Sequence, residues 1–545
     1  MIKNNLLNFL WLGNNMLSKN WQLFFSCLFF LGLTMPNSVA KAVELQVGIV
    51  QRFGEELEDK LIITSTEGDN LTLRFREQDG EGNNPVRALT TNQVNLTITP
   101  QSLEQPKIRE RVILGDHGTF ETAEDSANRW RELGIEVEIT QPGRWQVWAK
   151  RDVYNTPLLK RLLLNSIQKA DIDDVYIETE VLLEIPEVSF TVGNNTYRVD
   201  YLDINTNKNL VRVREGDNGT TRLYGGRLNI QPNAYGDYTL VNRVDIETYL
   251  RGVVPHEIGA NAPRAAAEAQ TIIARTYALR NTRRFEADNY QMCATTHCQV
   301  YYGLGQTSNL SDQAIASTRG LVLTYDNELV DALYFSTSGG VTSAFSDTWN
   351  GEDRPYLQPV IDAPTPIWDL AQNPLNYEAN LRRFISLDSG FNEVGRRLFR
   401  WNRPRSLQDL NSDLKKYLER IRHPLAEFNT IKKMEVTERS ISGRILVMEV
   451  ETDLGMVKLE KNEVRSAFEP PVSTLFYLDP IYKNGNQLDG YRFVGGGFGH
   501  GVGLSQFGSY SLANRGYSAQ QILEFYYPQA RIQPLNGSIV WWQGD

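Results

Sequence analysis

Residues 245–280 read DIETYLRGVVPHEIGANAPRAAAEAQTIIARTYALR, and their pattern predicts two consecutive helices. Asp245 can cap a first helix, whose apolar residues recur at the three/four spacing of one buried face. Pro255 is expected to end this helix, because proline has no backbone N–H to continue the ladder. Pro263 suits the first turn of a second, alanine-rich helix that we expect to reach about Phe285.

Glu257 lies in the predicted connection, beside Val254, Pro255 and Ile258. Apolar surroundings disfavour an ionised carboxyl and raise its pKa toward the range in which it can donate a proton at neutral pH. A solvated loop glutamate has the same local sequence, and composition alone favours that ordinary interpretation.

Strand patterns precede the two helices. Apolar and polar residues alternate in LQVGIV (45–50), KLIITST (60–66) and NLTLRF (70–75), and similar patterns return from Val188 to Val241. Between them, residues 126–166 predict the order helix, strand, strand, helix. That order resembles a small glycan-binding repeat domain of bacterial division proteins, and an ordinary α+β module explains it equally well.

The C-terminal half combines a helical segment, strands and a glycine-dense block. Residues 364–425 have the character of an inserted helical segment, strands resume after it, and GFGHGVGLSQFG (497–508) precedes a last helix with a capping box of Ser518 and Gln521. We therefore predict a multidomain α+β protein. Its predicted parts are a signal peptide (1–40), a β-rich region (41–120), a small α+β module (121–185), a mixed α/β domain (186–535) containing the 364–425 insertion, and a tail (536–545).

The first forty residues have the features of an export signal. Lys3 and Lys19 are their only charges, an apolar run covers Leu23–Leu33, and Ser38-Val39-Ala40 offers small residues for cleavage. We expect an exported, periplasmic or extracellular protein, with an uncleaved membrane anchor as the alternative. Removing this segment changes the formal net charge from −10 to −12. Because nucleic-acid binding needs concentrated Lys and Arg, we expect no nucleic-acid partner.

Cys293 and Cys298 are the two cysteines outside the predicted signal, which contains Cys27. In an exported protein such a pair most simply forms a disulfide. His297 between them also permits a metal site, but zinc needs four ligands in a structural site and three plus an open position in a catalytic one. The sequence leaves disulfide and zinc as alternatives.

Several blocks together resemble the stage II sporulation protein D family. They are DIETYLRGVVPHEI with the alanine-rich helix after it, CATTHCQVYYG (293–303), AIASTRGLVLTYDNELVDALYFSTSGGVT (314–342) and FVGGGFGHGVGLSQFGSYSLANRGYSAQQILEFYYP (493–528). The resemblance covers about residues 185–535, with the blocks in the family's order. The 364–425 insertion is a departure from the family core, and it could cover or extend a cleft.

The resemblance implies a peptidoglycan lytic transglycosylase in which Glu257 is the catalytic acid. It implies that the block after the strand-like DALYF contacts substrate, namely Ser336, Thr337, Ser338, Gly339 and Gly340. A plain turn has the same composition. The glycine-dense block would place His500, Ser505 and Gln506 at the wall of the site, with a tight structural crossing as the alternative. Relatives that hold zinc through Cys and His favour a structural zinc at Cys293, His297 and Cys298, with His256 or Asp288 as additional ligands.

Three readings of function follow. A lytic transglycosylase needs one carboxyl group and no cofactor, whereas a hydrolase normally needs a second carboxylate, for which Asp347, Asp353 and Asp362 are the candidates. The family also includes amidase enhancers, which promote another enzyme, and a wall-binding scaffold is the third reading. The expected partners are peptidoglycan glycan strands, particularly strands without stem peptides, and a cell-wall amidase.

Overall fold

The computed structural model of the protein describes residues 43–76, 86–170 and 174–542. The predicted signal peptide at 1–40 lies outside these residues. None of the helices in the described part of the chain is long and apolar enough to cross a membrane. Helices combine with several separate sheets, which confirms the predicted α+β class.

The chain from Glu44 to Asp245 consists mostly of strands. Their alternation is the predicted one: in the third strand Leu71, Leu73 and Phe75 are buried, whereas Arg74 and Arg76 are exposed. The elements are β1 (Glu44–Phe53), β2 (Lys60–Ser65), β3 (Leu71–Arg76), β4 (Val86–Thr91), β5 (Gln93–His117), α1 (Phe120–Glu132), β6 (Val137–Thr140), β7 (Trp145–Ala149), α2 (Pro157–Gln168), β8 (Tyr176–Val192), β9 (Asn195–Val199), β10 (Leu202–Thr206), β11 (Leu210–Glu215), β12 (Arg222–Gly225), β13 (Arg227–Pro232) and β14 (Tyr238–Asp245).

These strands form two sheets that mix early and late segments. One sheet has the order β1, β14, β13, β10, β3, β4, and the other has the order β12, β11, β2, β5, β7, β6, with β8 paired to both β5 and β9. The helix, strand, strand, helix order between residues 120 and 168 is present, but β6 and β7 extend the second sheet. Predicted boundaries at residues 120 and 185 therefore do not separate independent sheets, because β5 and β8 pair across them.

The two predicted helices follow, with two corrections to their ends. The elements here are α3 (Ile246–Glu257), α4 (Arg264–Arg280), β15 (Met292–Cys293), α5 (Asn309–Ser317), β16 (Leu321–Tyr325), β17 (Glu328–Leu329) and β18 (Tyr334–Phe335). Helix α3 passes through Pro255 to Glu257, since a proline so near the end removes only the hydrogen bond to the Arg251 carbonyl. Helix α4 ends at Arg280 and not near Phe285, because Asn281 Nδ2 donates to the Tyr277 carbonyl and satisfies its last turn.

The inserted segment is larger than the predicted helical stretch at 364–425. Its elements are α6 (Glu378–Ser386), β19 (Trp401–Ser406), α7 (Leu407–Arg420), β20 (Ile431–Arg439), β21 (Ile445–Thr452), β22 (Met456–Glu460), α8 (Glu463–Ala467), β23 (Phe476–Lys483) and β24 (Gln487–Gly495). Strand β19, inside the predicted stretch, pairs with β24 outside it. Leu410, Leu414, Met448 and Phe493 belong to a hydrophobic core that consists only of residues from this segment.

The chain then returns to the sheets and helices near α4. The last elements are β25 (Leu504–Ser505), α9 (Gln506–Asn514), α10 (Ala519–Tyr526) and β26 (Arg531–Pro534). Strand β25 pairs in parallel with β18, and β26 pairs with β16. The predicted capping box of Ser518 and Gln521 is present. In the predicted tail, Val540 exchanges backbone hydrogen bonds with Asn327 and Leu329, so its described residues continue the fold.

Candidate active site

Helix α3 carries Glu257 at its last position and is fixed at both ends. At its start, the Asp245 carboxylate accepts hydrogen bonds from the backbone N–H groups of Glu247 and Thr248. A buried ion pair joins α3 to α4, with Arg275 donating two hydrogen bonds of 2.9 and 2.7 Å to the Glu247 carboxylate. Bidentate pairs of this kind hold a defined geometry, so the start of α3 is fixed relative to α4.

The end of α3 is also held from the glycine-dense block. Gln506 Nε2 donates to the Glu257 carbonyl at 2.8 Å, and the Tyr510 hydroxyl donates to the Ile258 carbonyl. These two carbonyls are among those that a helix leaves without intrahelical partners. Gln506, one of the predicted site residues, therefore positions the backbone of Glu257.

The Glu257 carboxyl group is half-buried and has two hydrogen-bond donors. Its Oε1 accepts from the Val300 backbone N–H at 2.8 Å, and the Tyr334 hydroxyl donates to the same carboxyl group. Burial raises the pKa of Glu257 above its usual value, and these two hydrogen bonds lower it by a smaller amount. The carboxyl group is thus poised to carry a proton nearer neutral pH than an exposed glutamate does.

A chain of buried polar side chains supports Tyr334. The Tyr249 hydroxyl donates to Gln299 Oε1 at 3.1 Å, and Gln299 Nε2 donates to the Tyr334 hydroxyl at 3.2 Å. Because Gln299 occupies the Tyr334 oxygen as a donor, the Tyr334 proton is free to point at Glu257. The network orients one donor toward the carboxyl group.

Glu257 lies in a cleft of about 400 Å³ to which distant parts of the chain contribute. The strand-rich region supplies one part of the lining, the segment around α3 and α4 supplies a second, and the inserted segment with the glycine-dense block supplies a third. The lining includes Glu121, Trp145, Glu257, Arg284, His297, Tyr334, Ser336, Trp349, Asn462, Arg465, His500 and Gln506.

The STSGG block is mostly structural. Ser336 lines the cleft, whereas Thr337, Ser338, Gly339 and Gly340 are buried. The backbone N–H groups of Ser338 and Gly339 donate to the Glu393 carboxyl group at 2.6 and 2.9 Å, and Ser338 Oγ donates to Asp362 at 2.8 Å. We therefore correct the prediction that these four residues contact substrate. They are buried, and their polar groups form hydrogen bonds inside the protein.

The same buried carboxyl pair engages Ser505. Ser505 Oγ donates to Glu393, and it accepts from the Gly508 N–H at the start of α9. Ser505 does not line the cleft in the described structure. Ser505 thus links β25, which follows the inserted segment, to Glu393, which lies within that segment.

His500 lines the cleft, but both of its ring nitrogens are occupied. Nε2 donates to the Tyr334 carbonyl at 2.8 Å, and Nδ1 accepts from the Val502 N–H at 3.2 Å. Burial lowers the pKa of His500 to about 3, which keeps the ring neutral. The tight structural crossing is therefore the better description of this histidine.

Cys293 and Cys298 form a disulfide, and His297 lines the cleft next to them. Both sulfur atoms are thereby used in a covalent bond, so the predicted zinc site at these three residues is not the arrangement observed. Of the suggested additional ligands, His256 binds the Gly252 carbonyl and Asp288 accepts from the Ala234 N–H. Among the described residues, no cluster of three or more His, Cys, Asp or Glu side chains could hold a metal ion.

The three candidate second carboxylates lie elsewhere. Asp347 accepts from Ser442 Oγ at 2.6 Å, Asp353 accepts from the Ser346 N–H at 3.0 Å, and Asp362 is fully buried. None of them lines the Glu257 cleft as the structure describes it. A different carboxylate, Glu121 of α1, does line it and forms an ion pair with Arg284.

Sequence patterns gave no signal for several of the lining residues. Glu121 and Trp145 come from the region predicted as a separate module, and Trp349 and Arg465 come from the inserted segment. Each of these residue types also occurs at purely structural positions, so the local sequence does not mark it as part of a site. Only the packing of these segments against α3 and α4 brings them to Glu257.

Two parts of the chain match families of known proteins. Residues 234–325, which include α3, α4 and the disulfide, match the family described as Stage II sporulation protein. Residues 343–503 match a family described as a domain of unknown function, DUF8618. The chain therefore carries a domain similar to the stage II sporulation protein family, and its second match is longer than the insertion predicted at 364–425.

Curated relatives lead to the same family. The chain is 27% identical over 401 residues to a protein named amidase enhancer from Bacillus subtilis (strain 168), covering 65% of this chain and 52% of that protein. It is 24% identical over 347 residues to stage II sporulation protein D from the same organism, covering 60% of this chain and 86% of that protein. The match thus spans about half the length of the amidase enhancer.

Proposed function

We propose that this protein is an exported lytic transglycosylase that cleaves peptidoglycan glycan strands between N-acetylmuramic acid and N-acetylglucosamine. The observation that carries the proposal is a single half-buried carboxyl group, Glu257, with a raised pKa at an open cleft and two hydrogen-bond donors fixing its orientation. The similarity of residues 234–325 to the stage II sporulation protein family supports a role at the bacterial cell wall.

One carboxyl group suffices for the reaction. The protonated Glu257 gives its proton to the glycosidic oxygen as the bond from that oxygen to the muramic C1 breaks. The resulting carboxylate then takes the proton of the muramic C6 hydroxyl, whose oxygen bonds to C1 and closes a 1,6-anhydro ring. The proton given in the first step is recovered in the second, and no water is consumed.

The surroundings of Glu257 favour this route over hydrolysis. A hydrolase of the usual kind needs a second carboxylate to activate water or to attack C1. Asp347, Asp353 and Asp362 are absent from the described lining of the cleft, and Glu121 is engaged by the Arg284 guanidinium.

A second candidate function is promotion of a cell-wall amidase without cleavage, because one curated relative bears the name amidase enhancer. In either case a peptidoglycan amidase is the expected functional partner. An amidase removes stem peptides and would supply the bare strands on which the transglycosylase acts.

The test is incubation of the mature chain with purified, peptide-free glycan strands, followed by mass spectrometry of the products. We expect anhydro-muramic ends from the wild type. Glu257→Gln should lower their rate of formation by roughly 10²–10⁴-fold, because glutamine can neither donate the proton nor recover it. Glu524→Gln is the matched control, since Glu524 is exposed on α10 and, among the described residues, its side chain accepts only from Gln520.

The competing readings have their own signatures. Reducing ends in place of anhydro ends would assign hydrolysis. An unchanged strand, together with faster peptide release when a purified amidase is added, would assign the enhancer function. Strand binding with neither effect would assign a scaffold.

A further inference from the structure

Arg465 brings an unpartnered positive charge to the Glu257 cleft. It belongs to the short helix α8 of the inserted domain, and its side chain lines the cleft. Its one hydrogen bond among the described residues runs from Nη1 to Asn462 Oδ1 at 3.1 Å. Its Nε is buried and has no hydrogen-bond partner in the described part of the chain.

The other arginine of the cleft, Arg284, has partners for its guanidinium group. Arg284 forms an ion pair with Glu121 and donates to Asn281 Oδ1 at 2.8 Å and to the His297 carbonyl at 3.1 Å. No described carboxylate forms an ion pair with Arg465. A largely desolvated cation without a counter-charge is unfavourable, and a bound anion would offset that cost.

A second unused donor lies in the same cleft. The Trp349 indole is buried, and its Nε1–H has no hydrogen-bond partner among the described residues. The Trp349 ring lies 5.0 Å from the His500 ring, and Arg465 acts electrostatically on the same histidine. Arg465 and Trp349 thus each have an N–H group without an acceptor, and both lie near the neutral His500 ring. This arrangement indicates a site for an acceptor that the protein itself does not supply.

We propose that Arg465, assisted by the Trp349 indole, binds the lactyl carboxylate of a muramic acid residue and so selects strands without stem peptides. This inference rests on the proposed function, which supplies the peptidoglycan strand. The lactyl group of muramic acid ends in a carboxylate when no peptide is attached and in a neutral amide when one is. A guanidinium binds the carboxylate with two charge-assisted hydrogen bonds, and it has no comparable interaction with the amide.

The experiment measures binding in the Glu257→Gln background, which prevents turnover. Two probes are titrated by calorimetry: a peptide-free glycan oligosaccharide, and the same oligosaccharide with every lactyl carboxylate converted to a methylamide. We expect the carboxylate form to bind about 10–100-fold more tightly, the range for a charge-assisted pair in a desolvated site. Adding Arg465→Gln should remove that preference and leave the affinity for the methylamide unchanged.

Arg492→Gln is the matched control, because the exposed Arg492 of the same domain also donates one hydrogen bond to an asparagine, Asn402. It should leave both affinities unchanged. Arg465→Lys keeps the charge without the planar fork and should retain part of the preference, which protects the test against misfolding of the glutamine variant.

Three results would overturn the inference. One is equal affinity of the Glu257→Gln protein for the two probes, and this result does not depend on altering Arg465. Another is a preference for the carboxylate probe that persists in the Arg465→Gln variant. The third is an equal loss of affinity for both probes in that variant. If the Glu257→Gln protein binds neither probe, the glycan substrate itself is wrong, and that failure is visible before Arg465 is changed.

Discussion

Burial raises the pKa of both Glu257 and Glu393, yet Glu257 is half-buried whereas Glu393 is fully buried. Glu257 faces an open cleft and accepts from one backbone N–H and one tyrosine hydroxyl. Glu393 is sealed inside the protein, beside the fully buried Asp362, and burial together with that neighbouring carboxyl group raises its pKa to about 8. One carboxyl group can reach a substrate, and the other cannot.

The difference shows that a raised pKa does not by itself identify a catalytic group. Glu393 binds Ser338, Gly339 and Ser505, which come from the two segments that flank the inserted domain. A protonated carboxyl group beside Asp362 can donate to it and still accept from the three donors. Glu393 therefore joins the inserted domain to the segments on either side of it, whereas Glu257 is left accessible for chemistry.

Truncating Glu393 should produce the largest loss of stability. Glu393→Ala leaves the N–H groups of Ser338 and Gly339 buried without acceptors, which should lower the free energy of unfolding by roughly 2–5 kcal/mol. Urea denaturation measures the change. The exposed Glu419 of α7 provides the control, since Glu419→Ala should change stability by less than about 0.5 kcal/mol. Equal stability of the two variants would mean that the buried pair does not hold the domain.

The pH dependence of stability should follow the same pair. The pKa of Glu393 rises from 4.5 to about 8 on folding, so between these values the folded protein holds a proton that the unfolded chain has lost. Stability from this group is complete below pH 4.5 and decreases as the pH rises through 8. Urea denaturation of the wild type at pH 6.0 and at pH 8.5 should differ by about a few kcal/mol.

Glu393→Gln separates this effect from that of Glu257. Glutamine does not titrate, so the variant should lose the part of the pH slope that belongs to Glu393, while the contributions of Asp362 and Glu257, whose pKa values burial also raises, remain. An undiminished slope in Glu393→Gln would assign the pH dependence to other groups.

Reducing the disulfide should affect the surroundings of Glu257. Cys298 is two residues before Val300, whose N–H holds the Glu257 carboxyl group. Opening this short loop should lower stability by about 2 kcal/mol and should reduce cleavage, because the donor to Glu257 becomes less fixed. Thermal unfolding and product formation are measured with dithiothreitol and, separately, with EDTA. Sensitivity to the chelator with no effect of the reductant would favour zinc over the disulfide.

The smallest expected effect is on the stability of Glu257→Gln. Glutamine can still accept from Val300 and has no ionised form to desolvate, so the free energy of unfolding should be unchanged or higher by up to about 1 kcal/mol. Any gain should grow with pH, since the raised pKa of Glu257 means that the wild type loses stability as this group ionises. A clear loss of stability would make Glu257 a structural carboxyl group like Glu393.

Local sequence patterns were sufficient for much of the fold. Alternation at Leu71, Leu73 and Phe75 predicted a half-buried strand, and Asp245 and Ser518 marked helix starts, because these signals act within one or two turns. The boundaries of α3 and α4 were less predictable. Pro255 lies close enough to the helix end to be tolerated, and the end of α4 depends on the Asn281 side chain.

From the sequence alone, Glu257 could be assigned to the connection after a capped helix, among apolar neighbours, and the motifs indicated the family. Which polar residues surround this carboxyl group depends on contacts between segments that are far apart in the chain. Ser338 and Ser505 proved to bind Glu393, 55 and 112 residues away in the chain, and Arg465 proved to line the cleft. Such long-range pairings leave no local pattern, because a hydroxyl or guanidinium has the same sequence context whether it meets a buried partner, solvent or a substrate.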